Sequence, residues 1–578
     1  MVLKLTLFHS NPGYFHPSLP DYLCHMNRSH TLSLLIFFLA SGILQSCSDP
    51  KKEVDTILYD GQIVLVDSAF SVVSAIAMKD GKIVAVGEAD DILDEFIGTE
   101  QYDLKGGVVY PGFIDAHCHF YAYGIDLQEL DLKAAISFED MIQKTVAYAE
   151  ANNPAYIVGR GWNEEDWESH STINKFKLDY LFPETPVILQ RIDGHAALCN
   201  QAALNLAGID DQTQIEGGII EKVGGFITGI VVDQAAEMIF NQLPLPSRSQ
   251  QIEALIAAEQ ACFRRGLTTV SDAGLPLSTV ELIDSLQQLG KLSMRIYAMS
   301  NPDMDELHQL YDTGIRNSEK LVLRSVKLYG DGSLGSRGAL LKKPYCDQPG
   351  HHGLLQHELS FYRTVMDFCL TKGLQVNTHC IGDSANNILL TEYANRLRGN
   401  NNKRWRIEHA QVVDPDDFHF FGDYSIIPSV QPTHATSDMY MAEERLCDAD
   451  RMKGAYSYKT LYKENGLIAF GTDFPVENID PLGTYLASTT RMGKKGETFR
   501  KEEGLPYQET IRGMTIWAAY ANFMDEFTGS LEVGKCADLV VLSGDLEYVT
   551  KPGQVHVNGT MVDGKFVYLN GLSPDRKR

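Results

Sequence analysis

The sequence lacks the features by which several protein classes are recognised. Its ten cysteines include no C-x-x-C pair, so their spacing indicates neither a zinc knuckle nor a disulfide framework. Acidic residues outnumber basic ones by 76 to 50, which gives a formal net charge of -26 at pH 7. No basic cluster suited to phosphates is present, so nucleic-acid binding is not expected. At 578 residues, the chain is long enough for one large domain with attachments or for two to four domains.

No apolar run near the N-terminus reaches the ~20 residues that span a bilayer. A shorter apolar run at 32–44 follows a basic leader at 27–30 and ends in Leu-Gln-Ser-Cys at 44–47. This pattern predicts a signal peptide and resembles a bacterial lipoprotein signal, cleaved before Cys47 with the thiol lipidated; an ordinary secretory signal is the alternative. Residues 1–25 do not resemble a signal, so we expect translation to start at Met26. The expected location is the bacterial cell envelope, on the periplasmic or outer-membrane side, with membrane contact through the lipid alone.

Short β-rich runs occur at both ends of the chain after this leader. Residues 57–64 and 75–87 contain Asp-Gly turns, which are typical of hairpins. Residues 537–542 and 555–559 are likewise short runs rich in β-forming residues. The pattern predicts one small β-sandwich domain assembled from 48–107 and 525–578, following the leader and signal peptide at 1–47.

Between these segments, over 108–524, strand-like apolar runs alternate with helical patterns, which is typical of βα units around a parallel sheet. Two surplus runs, at 157–161 and 187–192, are assigned to an insertion of about 121–249 after the first strand, where it would cover the active site. The remaining runs number eight and predict an α/β fold with a (β/α)8 barrel. They lie at 108–115, 267–272, 294–299, 326–329, 374–378, 406–409, 426–430 and 468–473.

Two histidines end the first predicted barrel strand in the stretch PGFIDAHCHF at 111–120. Side chains at positions i and i+2 of a strand project the same way, so His117 and His119 can bind one metal ion together. A His-x-His pair alone also occurs among surface or packed histidines. The ends of three later strands, however, carry His379, His409 and Asp473. Because the C-terminal ends of barrel strands share one rim, the pattern predicts a metal site there.

A lysine, Lys327, lies in the apolar strand at 326–329, where an ammonium group is unfavourable unless it is paired or chemically altered. With this lysine, the sequence resembles the YtcJ-like branch of the metal-dependent amidohydrolases, also called amidohydrolase family 3. The resemblance covers nearly all of the chain after the signal. Its motifs are PGFIDAHCH at 111–119, GLTTV at 266–270, Lys327 followed by DGSLGSRGA at 331–339, the His379 and His409 segments, GTD at 471–473 and GKCADLV at 534–540.

The resemblance implies a barrel with a composite β-sandwich and two zinc-like ions bridged by a carboxylated lysine. It also implies hydrolysis of carbon-nitrogen bonds other than peptide bonds. A single-metal site with an unmodified lysine stays open, as does iron, manganese or cobalt in place of zinc. By this resemblance, one ion would be held by His117, His119 and Asp473 and the other by His379 and His409, with Lys327 between them.

Asp473 is the candidate general base and acid, which would take a proton from a metal-activated water and pass it to the leaving nitrogen; a pure ligand role is the alternative. Four further residues are candidate substrate contacts. His195 resembles a position that reaches into the pocket, and His434 could polarise the substrate carbonyl. Arg337 could bind a carboxylate, unless it is solvated or paired at the surface. Trp162 could form a pocket wall, unless it packs within the insertion.

The function predicted from these residues is a metal-dependent hydrolase that cleaves an amide-type bond of a small molecule. A non-catalytic envelope lipoprotein with the same fold is the alternative from another class. A deacetylase, a cyclic amidase or an isomerase could use the same metal site, because the pocket lining decides among them. The expected partner is a small-molecule substrate, and a homo-oligomer is left open.

Overall fold

The computed structural model describes residues 50–168, 172–215, 217–312 and 314–575. The predicted signal peptide, the start at Met26 and the lipidation site at Cys47 lie outside these residues. Within them, no helix is both long enough and apolar enough to cross a membrane.

The predicted α/β barrel is confirmed: in the described residues, eight parallel strands follow one another in chain order around a nearly closed barrel. The last strand is short, and the backbone completes the ring beyond it, where Asp473 N donates to His117 O at 2.8 Å. Most of these strands are buried on both faces, as the covering helices of a parallel barrel require. The strands are Phe113–Cys118, Leu267–Leu275, Arg295–Ser300, Leu321–Tyr329, Gln375–Cys380, Arg406–His409, Ile427–Val430 and Ala469–Phe470.

The first predicted barrel strand, at 108–115, is two strands in the structure. Val108–Pro111 pairs with Leu539–Leu542 in another sheet, and the barrel strand begins only at Phe113. Between them, Gly112 passes so close to Thr268 that a Cβ atom there would lie 2.2 Å from Thr268 Oγ1. The apolar run continues through this change of sheet, which is why its sequence reads as a single strand.

The sheet that receives Val108–Pro111 combines strands from both ends of the described chain. Its Leu539–Leu542 strand pairs with Val108–Pro111 on one side and with Val557–Val562 on the other. A buried ion pair joins this region to the barrel: Arg295, at the start of the third barrel strand, contacts Asp538 and Asp563. The strands are Lys52–Val64, Val72–Lys79, Lys82–Gly87, Phe96–Asp103, Val108–Pro111, Leu539–Leu542, Val557–Val562 and Lys565–Leu569, and the helix is Ala89–Glu95.

A third sheet lies between the first and second barrel strands in the chain and corresponds to the expected insertion. Its strands, in chain order, are Leu130–Asp131, Ile157–Trp162, Val187–Arg191, Ala196–Cys199, Gly218–Val223 and Phe226–Asp233. Its helices are Phe138–Asn152, Phe176–Leu181, Gln201–Leu206 and Gln234–Phe240. Ser137 caps the start of the first of these helices, and its side chain accepts a hydrogen bond from Asp140 N. The helix ends where Asn153 adopts the left-handed conformation.

Helices surround the barrel and connect its strands. The helix before the second barrel strand begins with a capping box in which Ser247 and Gln250 satisfy each other's backbone N–H groups. The barrel helices are Phe120–Asp126, Arg248–Phe263, Leu277–Gln288, Met304–Tyr311, Leu359–Lys372, Asp383–Leu397, His419–Asp423, His434–Ser437, Met439–Leu446, Ala449–Met452, Tyr458–Asn465, Pro481–Thr490, Tyr507–Gly513 and Ile516–Ala521.

A disulfide bond joins Cys346 to Cys447, 101 residues apart in sequence. It ties the long connection after the fourth barrel strand to the end of helix Met439–Leu446. Cysteine spacing did not indicate this bond, because the two residues come together only through the packing of distant segments.

Candidate metal centre

The C-terminal rim of the barrel brings together the histidines expected from the sequence. The imidazole centroids of His117 and His409 are 4.8 Å apart, and those of His379 and His409 are 4.5 Å apart. Asp473, from the end of the last strand, places its Oδ1 3.3 Å from His119 Nε2. Two groups of ligand atoms each lie within 4.8 Å of one another: those of His117, His119 and Asp473, and those of His409, His434 and Asp473.

The rim holds two of these residues in a left-handed backbone conformation. Asp473 has a φ of 62° and His409 a φ of 70°. Non-glycine residues adopt such angles at some energetic cost, and they do so most often at functional sites. At the neighbouring Gly471, a Cβ atom would lie 2.5 Å from His117 N, so only glycine lets the first and last strands approach this closely.

Lys327 lies within the same cluster. Its Nζ is 3.0 Å from His117 Nε2, and its side chain is buried. Burial lowers the pKa of Lys327 to about 8, although the carboxylates of Glu408 and Asp473 act in the opposite direction. A lysine with this pKa is partly a neutral amine near neutral pH, which is the form that can be carboxylated.

Hydrogen bonds to Nδ1 orient three of the imidazoles. His117 Nδ1 lies 2.6 Å from Glu408 Oε2, His119 Nδ1 lies 3.0 Å from Ala273 O, and His409 Nδ1 lies 2.8 Å from Gln431 Oε1. A proton on Nδ1 leaves Nε2 as the free ligand atom, and this second layer of partners is typical of metal-binding histidines.

Several polar atoms at the rim are buried without a hydrogen-bond partner. They are His379 Nε2, both ring nitrogens of His434, and Asp473 Oδ1. Buried polar atoms are otherwise almost always paired, so this cluster needs an additional partner. Neutral imidazoles and a carboxylate are ligands that zinc and related divalent ions accept. The residues therefore fit a divalent metal ion.

The protonation states at the rim suit metal binding. Burial and the charge of Lys327 lower the pKa of His117 to about 4 and hold that of His379 well below its ordinary value. Burial raises the pKa of Asp473 by itself, but His119, His117 and His409 together hold it well below the usual range. His117 and His379 are therefore neutral and Asp473 is ionised at neutral pH.

Sequence comparison identifies the family of this chain. A family model described as "Amidohydrolase family" matches residues 100–568. The chain belongs to this amidohydrolase family. The match covers the whole barrel and the C-terminal strands of the composite sheet, but it begins after the first three strands of that sheet.

Relatives of known name match along nearly their full length. The chain is 33% identical to Protein LONG AFTER FAR-RED 3 of Arabidopsis thaliana over 91% of this chain and 94% of that protein. It is 32% identical to YtcJ of Bacillus subtilis (strain 168), over 86% and 96%. It is 24% identical to the N-substituted formamide deformylase of Arthrobacter pascens, over 89% and 98%.

A solved structure has the same fold. The metal-dependent hydrolase of Pyrococcus horikoshii OT3 superposes with a TM-score of 0.72 and 27% identity, covering 86% of this chain and 98% of that one. The barrel and the amidohydrolase membership expected from the sequence motifs are thus confirmed.

Four buried residues at the rim of this amidohydrolase were not singled out by sequence reasoning. Glu408 and Gln431 orient histidines, as described above. Asp115 accepts from Thr472 Oγ1 at 2.6 Å and so joins the first and last strands. Asp331 accepts from three backbone N–H groups, and burial raises its pKa to about 7. In the sequence, each of these four residues is recognisable as a charged or polar residue that lies within an apolar strand or directly after one.

The predicted substrate contacts have different surroundings. His434 lies at the rim, with its Nε2 3.8 Å from Asp473 Oδ2. His195, from the insertion, places its Nδ1 2.8 Å from Asp233 Oδ1.

Two predicted contacts have other partners. Arg337 forms an ion pair with Asp347, ten residues further along, so its guanidinium is not a free carboxylate receptor. Trp162 has the surroundings of the packing alternative: its indole is 2% exposed, packs in the apolar core of the insertion beside Trp167, and donates to Leu189 O at 2.7 Å. Its aromatic ring packs within the inserted sheet.

Proposed function

We propose that this amidohydrolase is a metal-dependent enzyme that hydrolyses an amide-type carbon-nitrogen bond, other than a peptide bond, of a small molecule. The observation that carries the proposal is the cluster of imidazoles and one carboxylate at the rim, in which three imidazoles are oriented through Nδ1 and four ring or carboxylate atoms have no hydrogen-bond partner. The name of the Arthrobacter relative, N-substituted formamide deformylase, supports N-formyl and N-acyl amines as the first substrates to test.

Two divalent ions, with zinc as the first candidate, would be held by His117, His119 and Asp473 and by His379 and His409, with carboxylated Lys327 between them. Such ions supply Lewis acidity and make water a stronger acid. The 3.0 Å separation of Lys327 Nζ from His117 Nε2 supports the central position of the lysine. His434 Nε2 lies 3.8 Å from Asp473 Oδ2, and its ligand atom groups with those of His409 and Asp473. It would therefore bind either the substrate or a metal ion.

Asp473 would act as the proton carrier of the reaction. Its Oδ1 is buried without a hydrogen-bond partner, so it is free to accept a proton from the attacking water. As the carbon-oxygen bond forms and the carbon-nitrogen bond breaks, this proton passes to the leaving nitrogen. The products are a carboxylic acid and an amine. His434 Nε2 would donate to the carbonyl oxygen, and His195 would contact the substrate from the insertion.

The cell envelope is the proposed location of the protein, with attachment through lipid on Cys47. The Cys346–Cys447 disulfide supports this location, because disulfides persist in oxidising compartments outside the cytoplasm.

The first experiment is elemental analysis of the full chain purified without chelator, combined with an assay of amine release from N-formyl and N-acyl amines. We expect about two ions per chain, a 13C carbamate signal from Lys327 after growth with labelled bicarbonate, and hydrolysis. His117→Ala should lose metal and activity, whereas His308→Ala, which removes an exposed surface histidine, should lose neither. A chain that binds no metal after reloading with zinc and bicarbonate would rule out the proposal and favour a non-catalytic protein.

A further inference from the structure

A cavity lies away from the metal centre, between the barrel and the C-terminal strands of the composite sheet. Its volume is about 400 Å³, which is within the range of small-molecule sites, roughly 300–1,000 Å³. Its walls come from the two residues that follow helix Arg248–Phe263, from the start of helix Pro481–Thr490 and from the segment 546–570. None of the metal-centre residues lines it. The cavity is therefore a separate candidate site for a small molecule.

Several cations line this cavity without a partner. The side chains of Arg264, Arg265 and Lys551 form no ion pair or hydrogen bond in the described part of the chain. Asp480, the acidic residue of the lining, does not pair with them, and His556 also lines the cavity. In a chain with a formal net charge of -26, such a group of unpaired cations is an exception. It attracts an anion, and guanidinium groups bind carboxylates in a bidentate manner.

Most other side chains that line the cavity are apolar. Leu486, Val549 and Val555 are buried, and the ring of Tyr568 is partly buried, whereas the three cations are exposed. Apolar walls favour a ligand with an apolar body, because the ligand removes its own surface and that of the walls from water. The lining thus combines an anion-binding side with an apolar side.

We propose that this cavity binds a small amphipathic organic acid. Its carboxylate would lie at Arg264, Arg265 and Lys551, and its apolar body would lie against Leu486 and Val549. Inorganic phosphate could use only the cations, and a neutral alcohol could use only the apolar wall, so neither matches both sides. The proposal does not depend on the proposed hydrolysis, because the cavity and the metal centre share no residue.

The test is isothermal titration calorimetry of the full chain with hexanoate. Acetate, inorganic phosphate and 1-hexanol are the comparison ligands. We expect one saturable hexanoate site and a dissociation constant for acetate that is higher by about tenfold or more, because acetate lacks four methylene groups. Phosphate and 1-hexanol should also bind more weakly than hexanoate, since each lacks one of the two matching parts.

Substitutions of the arginines locate the site. Arg264→Gln and Arg265→Gln should each raise the dissociation constant of hexanoate by about tenfold, because each removes a charge-assisted hydrogen bond. Arg248→Gln is the matched control: it changes an exposed arginine at the other end of the same helix, outside the cavity, and should leave hexanoate binding unchanged. Circular dichroism and a thermal melt of each variant show whether it is folded.

Three results would overturn the proposal. The first is the absence of saturable hexanoate binding. The second is hexanoate binding that is unchanged in both arginine variants of the cavity, which would place the acid elsewhere, for example at the metal centre. The third is a comparison ligand that binds as tightly as hexanoate, because the site would then not recognise an acid with an apolar body.

Discussion

Glu408 Oε2 lies 2.6 Å from His117 Nδ1, and both side chains are fully buried in the barrel. The other carboxylate oxygen accepts from Arg406 Nε, also at 2.6 Å. Burial by itself raises the pKa of Glu408, but Arg406 and His117 hold it at about 2. The carboxylate is thus ionised at neutral pH and sets which nitrogen of His117 faces the rim.

Replacing this carboxylate tests its role as an orienting group. Glu408→Gln retains the shape but removes the charge that holds the proton on His117 Nδ1. We expect metal affinity and kcat/KM to fall by about 10- to 100-fold. Metal content and amine release should be measured together with Glu392→Gln, which changes a glutamate paired with Arg363 and Arg396 on outer helices. Equal effects of the two substitutions would contradict a specific role for Glu408.

Because Lys327 is buried, we expect it to lower the stability of the metal-free protein although activity requires it. In metal-free protein, Lys327→Met removes a buried amine and should raise the free energy of unfolding by about 1–3 kcal/mol at pH 7, while abolishing activity. Because burial lowers the pKa of Lys327 in the folded state to about 8, below the unfolded value of 10.5, the folded state binds fewer protons between these values. The wild type should therefore gain stability relative to the variant as pH rises from about 8 to 10.5.

Urea unfolding of both proteins at pH 7 and pH 10 measures this difference. A gap between the two proteins that does not narrow with pH would show that the pKa of Lys327 is not lowered in the metal-free fold.

The disulfide should contribute to stability without defining the fold. Reduction of Cys346–Cys447 opens a loop of about a hundred residues, and the expected loss is about 2–4 kcal/mol. Urea unfolding with and without dithiothreitol measures the loss. The double variant Cys346→Ala/Cys447→Ala should match the reduced protein and ignore the reductant, since the other described cysteines are buried free thiols. A wild-type midpoint unaffected by reductant would contradict the prediction.

The contact between His195 and Asp233 should contribute to the stability of the fold in a way that depends on pH. Burial lowers the pKa of His195, but the Asp233 hydrogen bond and nearby carboxylates outweigh it and raise the pKa above its ordinary value. A group with a raised folded pKa stabilises the fold at low pH and loses this effect as pH rises through that value. Asp233→Asn should therefore destabilise the protein by about 1 kcal/mol near pH 6 and by less above pH 8.

Thermal unfolding across this pH range checks the trend. The matched control is Asp312→Asn, which removes the partner of the exposed His308 and should show little effect. A loss in Asp233→Asn that is constant with pH would mean that the pair is not charged.

Local patterns in the sequence were sufficient for the barrel and for most of the rim. Parallel strands in a barrel end at one side, so His117, His119, His379, His409 and Asp473 could be assigned to one rim from their positions after apolar runs. The His-x-His spacing and the buried lysine then indicated a metal site. These inferences needed only the period of a strand and the shared rim of parallel barrel strands, whereas the division of the ligands between two ions and the carboxylated lysine rested on the family resemblance.

Tertiary structure decided the features that depend on contacts between distant segments. The change of sheet at Gly112, the Cys346–Cys447 bond, the Glu408–His117 pair and the packing of Trp162 each join residues whose partners are far away in sequence or in another sheet. Short-range periodicity determines which face of an element is buried, whereas the identity of the neighbour on that face is decided only when the whole chain packs.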